Sequence, residues 1–229
     1  VRPFAGPSKA RFGRLNATYR FSFGPYHDPA RMGVGPLRAW TDDAIAPHTG
    51  FGPHPQRDME IVSHVRSGAI THLDSLGNAG RTSAGDVQVM SAGSGIRHAE
   101  YKREEATTTI FQIWIEPRRR GLAPRWAQRA FARADRAGQR VVLASGRAGD
   151  DDTLPIDQDA ALLGVTLEPG RSATQELGTG RPAYLVAATG RFTINGVEAV
   201  AHDGVLVAGE PVICVEPLEL AEILVVDLP

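Results

Sequence analysis

The sequence predicts an all-β protein built as two antiparallel β-barrels. Three observations carry that reading. The chain holds 25 glycines and 16 prolines in 229 residues, and its apolar residues come in short β-branched runs separated by turn residues, the pattern of a barrel or sandwich. No long stretch shows the 3.6-residue period of an amphipathic helix. There is also a faint internal repeat: Val65-Arg66-Ser67-Gly68-Ala69-Ile70, running on to Ala84-Gly85-Asp86, parallels Ala187-Ala188-Thr189-Gly190-Arg191-Phe192, running on to His202-Asp203-Gly204. Both copies read strand, glycine turn, strand, then a turn before the next strand. One fold is therefore expected twice, each barrel enclosing its own apolar interior.

In chain order, the first copy is expected to contribute strands over residues 59–65, 69–74, 87–90 and 108–115, and the second over 162–167, 183–188, 191–194, 204–207 and 222–226. Each is a short run containing β-branched or other apolar residues and bounded by turn signals. Residues 117–159 separate the copies. They hold an arginine-rich stretch and then Gly149-Asp150-Asp151-Asp152, the composition of a crossover and linker. The boundary is placed inside it, giving domains over residues 1–140 and 141–229. Arg125, Arg129 and Arg133 stand four apart and fit one face of a short helix, which raises the question of a nucleic-acid surface. Like charges at that spacing repel one another on a helix, and aspartates nearby balance them. The stretch is read as a connector and no nucleic-acid partner is expected.

A formal net charge of -1 gives no global attraction to nucleic acid or membrane. No apolar run approaches the roughly 18 residues of a spanning helix. The opening residues Val1-Arg2-Pro3-Phe4-Ala5-Gly6 lack the apolar core of a secretory signal. Cys214 is the single cysteine, which excludes an intrachain disulfide and fits a reducing compartment. The expectation is a cytoplasmic protein with a substantial buried core and no membrane partner.

Two short segments concentrate metal-ligating side chains: His54-Pro55-Gln56-Arg57-Asp58-Met59-Glu60 and, further along, Gly95-Ile96-Arg97-His98-Ala99-Glu100. Residues two apart on a strand point to the same face, so His54 with Gln56, and His98 with Glu100, each present a pair of side chains inward. Two histidines and one carboxylate suffice for the facial triad of a non-haem Fe(II) centre, with coordination positions left for substrate and dioxygen. Gln56 is the odd member, since its amide oxygen brings no charge and donates less strongly than imidazole. Isolated histidines more often serve as surface or hydrogen-bonded residues, which is the reading given to His27, His48, His64, His72 and His202.

At these residues the chain resembles the pirin family of the cupin superfamily, most of all its bacterial flavonol-dioxygenase-like branch. The family's first motif, His-x-His-x-x-x-Glu, is met by His54, Gln56 and Glu60, and its Asp-Ser-Leu-Gly-Asn hairpin by Asp74-Ser75-Leu76-Gly77-Asn78. Its Gly-Asp-x-Gln-x-Met-x-Ala-Gly-x-Gly-x-x-His-x-Glu stretch is met by the residues from Gly85 to Glu100, continued by Phe111-Gln112-Ile113-Trp114-Ile115. The resemblance runs to the carboxyl terminus and implies two cupin-type antiparallel β-barrels, a bicupin. It departs at Gln56, where pirins carry a second histidine.

The resemblance implies one divalent metal ion, Fe(II) ahead of other divalent transition metals, held by His54, Gln56, His98 and Glu100. It also implies a quercetin 2,3-dioxygenase-type reaction, in which dioxygen opens the central heterocycle of a flavonol with loss of carbon monoxide. Glu100, within reach of both metal and substrate oxygen, is then the catalytic base for the enol proton. Glu60 is assigned to holding a ligand imidazole in place. Met59, Ile61, Met90 and Phe111 are candidates for the pocket wall or for ordinary barrel core. Gln56 leaves three outcomes open: a weaker four-ligand site, a three-ligand site from which Gln56 swings away, or an inert scaffold. The expected partners are a flavonol-like small molecule and dioxygen. The rival reading is regulatory, a cupin that engages a protein partner and uses its metal as a redox or metabolite sensor; eukaryotic pirins are associated with transcriptional cofactor roles.

Overall fold

The computed structural model describes residues 1–4, 8–12 and 15–229, which fall into two compact units. The chain opens with β1 (Arg2–Phe4), β2 (Ser8–Phe12), β3 (Leu15–Tyr19), β4 (Leu37–Ile45), β5 (Gly50–Gln56) and β6 (Glu60–Ser67). It continues through β7 (Ala69–Asp74), β8 (Ala79–Ser83), β9 (Val87–Ser91), β10 (Ile96–Tyr101), β11 (Thr108–Ile115) and β12 (Arg125–Arg129). A 3-10 turn at Arg133–Arg136 leads into β13 (Val141–Ser145), β14 (Leu154–Pro155), β15 (Ala161–Leu167), β16 (Ala173–Glu176) and β17 (Ala183–Thr189). The last strands are β18 (Arg191–Ile194), β19 (Val197–Val200), β20 (Gly204–Val207), β21 (Val212–Pro217) and β22 (Ala221–Asp227).

Every strand expected from sequence is present, and β7, β11, β18 and β20 have the expected ends. The stretch read as a connector departs from expectation, because it contains strands β12, β13 and β14, and Arg125 and Arg129 lie on the first of these and not on a helix. On β12, Trp126 stands opposite Met90 of β9 and packs with Ile61 and Ile96. Period-two alternation delivers that indole to the interior while its arginine neighbours turn outward.

Among the described residues, the N-terminal unit has a seven-stranded sheet ordered β12-β9-β6-β11-β4-β3-β2 and a four-stranded sheet ordered β5-β10-β7-β8. Register in the larger sheet sets Tyr19 beside Thr41, Thr41 beside Gln112, Gln112 beside Ser63 and Ser63 beside Gln88. Because alternate residues share a face, these side chains make one polar row across the sheet. Apolar clusters lie on either side of it, Ile45, Val65, Ile70 and Ile110 toward one end and Ile61, Met90, Ala92 and Ile96 toward the other. Fully burying such a side chain contributes about 1.5–3 kcal/mol, so the apolar layers stabilise this open, two-sheet barrel, whose sheets share no strand pairing among the described residues, and leave the polar layer for other work.

The internal repeat is real at the level of pairing. β6 pairs with β9 and β7 with β8, just as β17 pairs with β20 and β18 with β19. Gly68 and Gly190 make the equivalent turns at φ 73° and 84°. A Cβ at either would lie 2.3 Å from Thr108 Oγ1 or 2.4 Å from the Leu220 carbonyl oxygen, so no side chain fits. The C-terminal unit places β1-β20-β17-β22-β15-β13 in one sheet and β16-β21-β18-β19 in the other. Five residues before each glycine turn the copies diverge: Ser63 faces Gln88 in the first, whereas Leu185 faces Val205 in the second. Leu185 and Val205 belong to a continuous apolar core with Phe192, Ile213 and Ile223, where the first copy has its polar row.

Candidate metal centre

Strand β10 turns His98 and Glu100 into the barrel, both buried. Beside it runs the edge strand β5, Gly50-Phe51-Gly52-Pro53-His54-Pro55-Gln56. Proline lacks an N–H and is confined in sheets to edges and bulges, and both features occur here. The register between β10 and β5 slips, so that His98 faces His54 while Glu100 faces Phe51. This bulge sets the Gly52 carbonyl against the His54 ring, whose Nδ1–H donates to it at 2.8 Å. The bond fixes the tautomer and leaves Nε2 as the lone-pair nitrogen. The His54 and His98 ring centroids are 4.3 Å apart. Gln56 lines the same cavity as His54, His98 and Glu100.

Two amides clamp Glu100. Gln88 donates from Nε2 to Oε1 at 2.5 Å, and Gln112 donates from Nε2 to Oε2 at 3.0 Å. Both glutamines belong to the polar row of the larger sheet. Burial raises the Glu100 carboxyl to about 7 against the pull of these two hydrogen bonds. His98 moves the other way: burial first, then the His54 and His72 imidazoles, lower it to about 3 while Asp74 opposes them. Its ring is therefore neutral at neutral pH. Among the described residues neither buried nitrogen of His98 has a hydrogen-bond partner. Each unsatisfied buried polar atom costs about 1–3 kcal/mol. An orphaned neutral imidazole beside a carboxylate that lacks a cationic partner is the donor chemistry a divalent ion completes, and these residues fit one.

His72, read from sequence as an ordinary hydrogen-bonded histidine, is buried in the same cluster. One ligand atom each from His72, His98 and Glu100 lies within 4.8 Å of the others. Its orientation comes from the hairpin that follows. Asp74 Oδ2 accepts from His72 Nε2 at 3.0 Å and from Asn78 Nδ2 at 2.9 Å, while Oδ1 accepts the backbone N–H groups of Leu76 and Asn78 at 2.9 and 3.1 Å. Burial works against the Asp74 carboxylate, but these bonds outweigh it and hold the group below its usual range. Burial likewise lowers His72, with Asp74 opposing. The Trp126 indole stacks on the His72 ring, centroids 4.8 Å apart and planes 5° from parallel. It has room because Gly80 stands opposite His72, where a Cβ would fall 2.2 Å from the indole. The signal for His72 lay in the sequence: His72-x-Asp74 is another pair two apart, directly at the hairpin.

Above the cluster lies a cavity of about 490 Å³. Its aromatic wall is Tyr19, Phe23, Phe51 and Trp114, and its polar residues include Thr41, Asp43 and Gln112. Phe23 meets Trp114 edge-on at 4.7 Å.

The family model described as Pirin matches residues 6–115, and one described as Quercetinase C-terminal cupin domain matches residues 142–228. A Pirin-like protein of Caulobacter vibrioides is 55% identical over 226 residues, spanning 99% of this chain and 97% of the relative. The chain belongs to the pirin family. It is also 37% identical to Quercetin 2,3-dioxygenase of Escherichia coli over 221 residues, 96% of this chain and 94% of that one. The crystal structure of bacterial pirin YhhW from Escherichia coli in complex with nickel(II) superposes with a TM-score of 0.91 at 36% identity, covering 97% of this chain and 95% of that one.

Within this pirin fold, one expectation needs correction and one open alternative is decided. Glu60 does not support a ligand imidazole. It lies three residues from Ser63 on β6, hence on the opposite face from the polar row, and its Oε2 accepts from Ser91 Oγ at 2.5 Å in a separate pocket with Arg119 and Arg125. Phe111, one residue from Gln112, likewise faces away from the cavity, against Trp40 and beneath the Arg66 guanidinium. Met59, Ile61 and Met90 belong to the apolar layer with Ile96 and do not line the cavity.

Proposed function

We propose that this chain is a metal-dependent dioxygenase of the quercetin 2,3-dioxygenase type, which opens the central heterocycle of a flavonol or similar enol with dioxygen and releases carbon monoxide. The observation that carries the reading is a donor set opening onto a shaped cavity: His54, His98 and Glu100 line a space of about 490 Å³ whose other wall is aromatic. That volume is typical of small-molecule sites, and flat aromatic walls suit a planar ring system. The name of the Escherichia coli relative supports the same chemistry.

His54 through Nε2, His98 and Glu100 would hold the ion, with Gln56 as a neutral fourth donor. Two imidazoles and a carboxylate suit Fe(II). When bound, the ion supplies Lewis acidity toward the enol oxygen and redox access to dioxygen. The protein's own part is positional and acid–base. Glu100 takes the enol proton as general base. Gln88 and Gln112 each occupy one lone pair on its two oxygens, leaving the others to receive that proton. Because both amides are in place before substrate arrives, the carboxylate needs no reorganisation. Asp74 keeps His72 turned into the cluster, where it packs against the ligand ring of His98 with centroids 5.5 Å apart.

Metal analysis of freshly purified protein, paired with oxygen uptake on quercetin, tests the proposal. The expected result is a stoichiometric divalent ion and flavonol-dependent oxygen consumption over many turnovers per metal. Flavonol binding without consumption by Fe(II)-reconstituted protein would overturn it in favour of a sensing role.

A further inference from the structure

Asp43 brings a second buried carboxylate into the cavity, and the reaction proposed above gives it no part. Alternation along β4 separates it from its neighbour: Asp42 turns to the guanidinium groups of Arg20 and Arg66, while Asp43 lines the cavity. Asp43 is 3% exposed. Its Oδ2 accepts the Thr41 hydroxyl at 2.8 Å. Among the described residues Oδ1 has no hydrogen-bond partner, and neither oxygen is paired with a lysine or arginine. That oxygen is not sealed among the buried unpartnered atoms of the core and lies where Asp43 lines the cavity, so a donor entering the cavity can reach it. The surrounding wall is aromatic. Tyr19 stands beside Thr41 in register, tilts against Phe23 at 5.9 Å and stacks with Tyr26 at 6.4 Å.

We infer that Asp43, held by Thr41, is a hydroxyl-recognising subsite that selects planar enols carrying a second phenolic hydroxyl besides the reacting one. The inference rests on the dioxygenase reading. Flat aromatic walls admit a ring, and hydroxyl is the donor such a ring carries at its rim. Burial pushes the Asp43 carboxyl up to about 7 against the Thr41 hydrogen bond, which lets the group serve a phenol as acceptor or donor near neutral pH. Asp43 is a specificity residue here and takes no proton from the reacting carbon framework. A hydrogen bond involving a charged group contributes about 1.5–3 kcal/mol, or about 10- to 100-fold in affinity.

The test compares quercetin with 3-hydroxyflavone, which keeps the enol and carbonyl but lacks the other hydroxyls. Both are titrated against the Zn(II)-loaded full chain, because Zn(II) has no redox chemistry and binding is read without turnover. Quercetin should bind the parent about 10- to 100-fold more tightly, and Asp43→Ala should collapse that gap while leaving 3-hydroxyflavone affinity nearly unchanged. Asp43→Asn keeps the side-chain shape and guards against loss of fold in the alanine variant; the gap should narrow there too. An absent gap in the parent, or one that persists in either folded variant, overturns the inference. Fe(II)-loaded parent that consumes neither flavonol overturns the dioxygenase reading instead, and the Zn(II) titration still decides the role of Asp43.

Discussion

Gln112 reaches from the larger sheet of the N-terminal barrel to Glu100 on the smaller one, its Nε2 lying 3.0 Å from Oε2. The other end of the same amide accepts the Trp114 indole N–H at 2.9 Å. The indole can only donate, so Oε1 must face it and Nε2 must face the carboxylate. One glutamine thereby ties an aromatic wall residue to the candidate base and fixes the direction in which that carboxylate presents its free lone pairs.

Gln112→Leu should therefore loosen the centre without dismantling the barrel. It leaves Oε2 of a buried carboxylate unbonded and frees the Trp114 ring. Groups that support metal ligands commonly account for 10- to 100-fold in affinity, and a loss of about that size is expected in calorimetric titration with a divalent ion near pH 7. Parental affinity in the variant would show that Gln88 alone holds Glu100.

Glu100→Gln should cost more in flavonol turnover than in metal binding. The substitution weakens the donor set, but it also removes the base that takes the enol proton, and general bases contribute about 10²- to 10⁴-fold. Steady-state rates at saturating metal isolate the second effect. Turnover at the parental rate under those conditions would remove Glu100 from the role of base.

How far the centre can be read from sequence depends on which residues one asks about. His98-x-Glu100 is legible because a period of two fixes a shared face once a strand is granted. Strand β5 is legible only through its His54-x-Gln56 pair: Gly50, Gly52, Pro53 and Pro55 argue against a strand, and edge position with a bulge is what admits them. Strand β4 goes unannounced because Asp42-Asp43 interrupts its apolar run, and in the fold the two carboxylates face opposite ways. Glu60 is misplaced by spacing alone. Asp58, at φ 47°, turns the chain between β5 and β6, so the ends of the His-x-Gln-x-x-x-Glu motif lie in different sheets. The barrel's apolar layers, by contrast, are announced by Ile, Val and Met runs that tolerate no other environment.

Asp43 makes the unfolding free energy depend on pH with a definite sign. Its carboxyl, 3.8 in the ordinary case, is raised to about 7 by burial and by the charges of Asp42 and Glu100, with Thr41 and Arg66 opposing. The native state then keeps a proton that the unfolded chain releases, so this contribution is present below about pH 4 and is lost as pH rises through about 7. The shift corresponds to at most about 4 kcal/mol. Glu100, also raised to about 7, adds a slope of the same sign. Asp43→Asn removes its own part, so the variant should gain on the parent by about 1–4 kcal/mol between about pH 4 and pH 8. Urea unfolding of metal-free protein across that range reads the difference, and a constant difference would mean that Asp43 titrates as it does in water.

Gln56→His addresses the one position where the donor set departs from the pirin motif. Gln56 lines the cavity two residues beyond His54 on the same strand, so an imidazole placed there starts from the correct face. Its hydrogen-bonding capacity is uncommitted among the described residues, so the substitution breaks no existing bond. Replacing a neutral amide oxygen with an imidazole nitrogen strengthens the set for borderline divalent ions. An affinity gain of about 10- to 100-fold is expected, similar to other changes around metal ligands, together with a rise in flavonol turnover. Anaerobic titration of metal-free parent and variant with Fe(II), followed by quercetin assays, measures both. Equal or weaker binding by the variant would mean that Gln56 does not face the ion, or that the cavity has adapted to an amide and the site serves another chemistry.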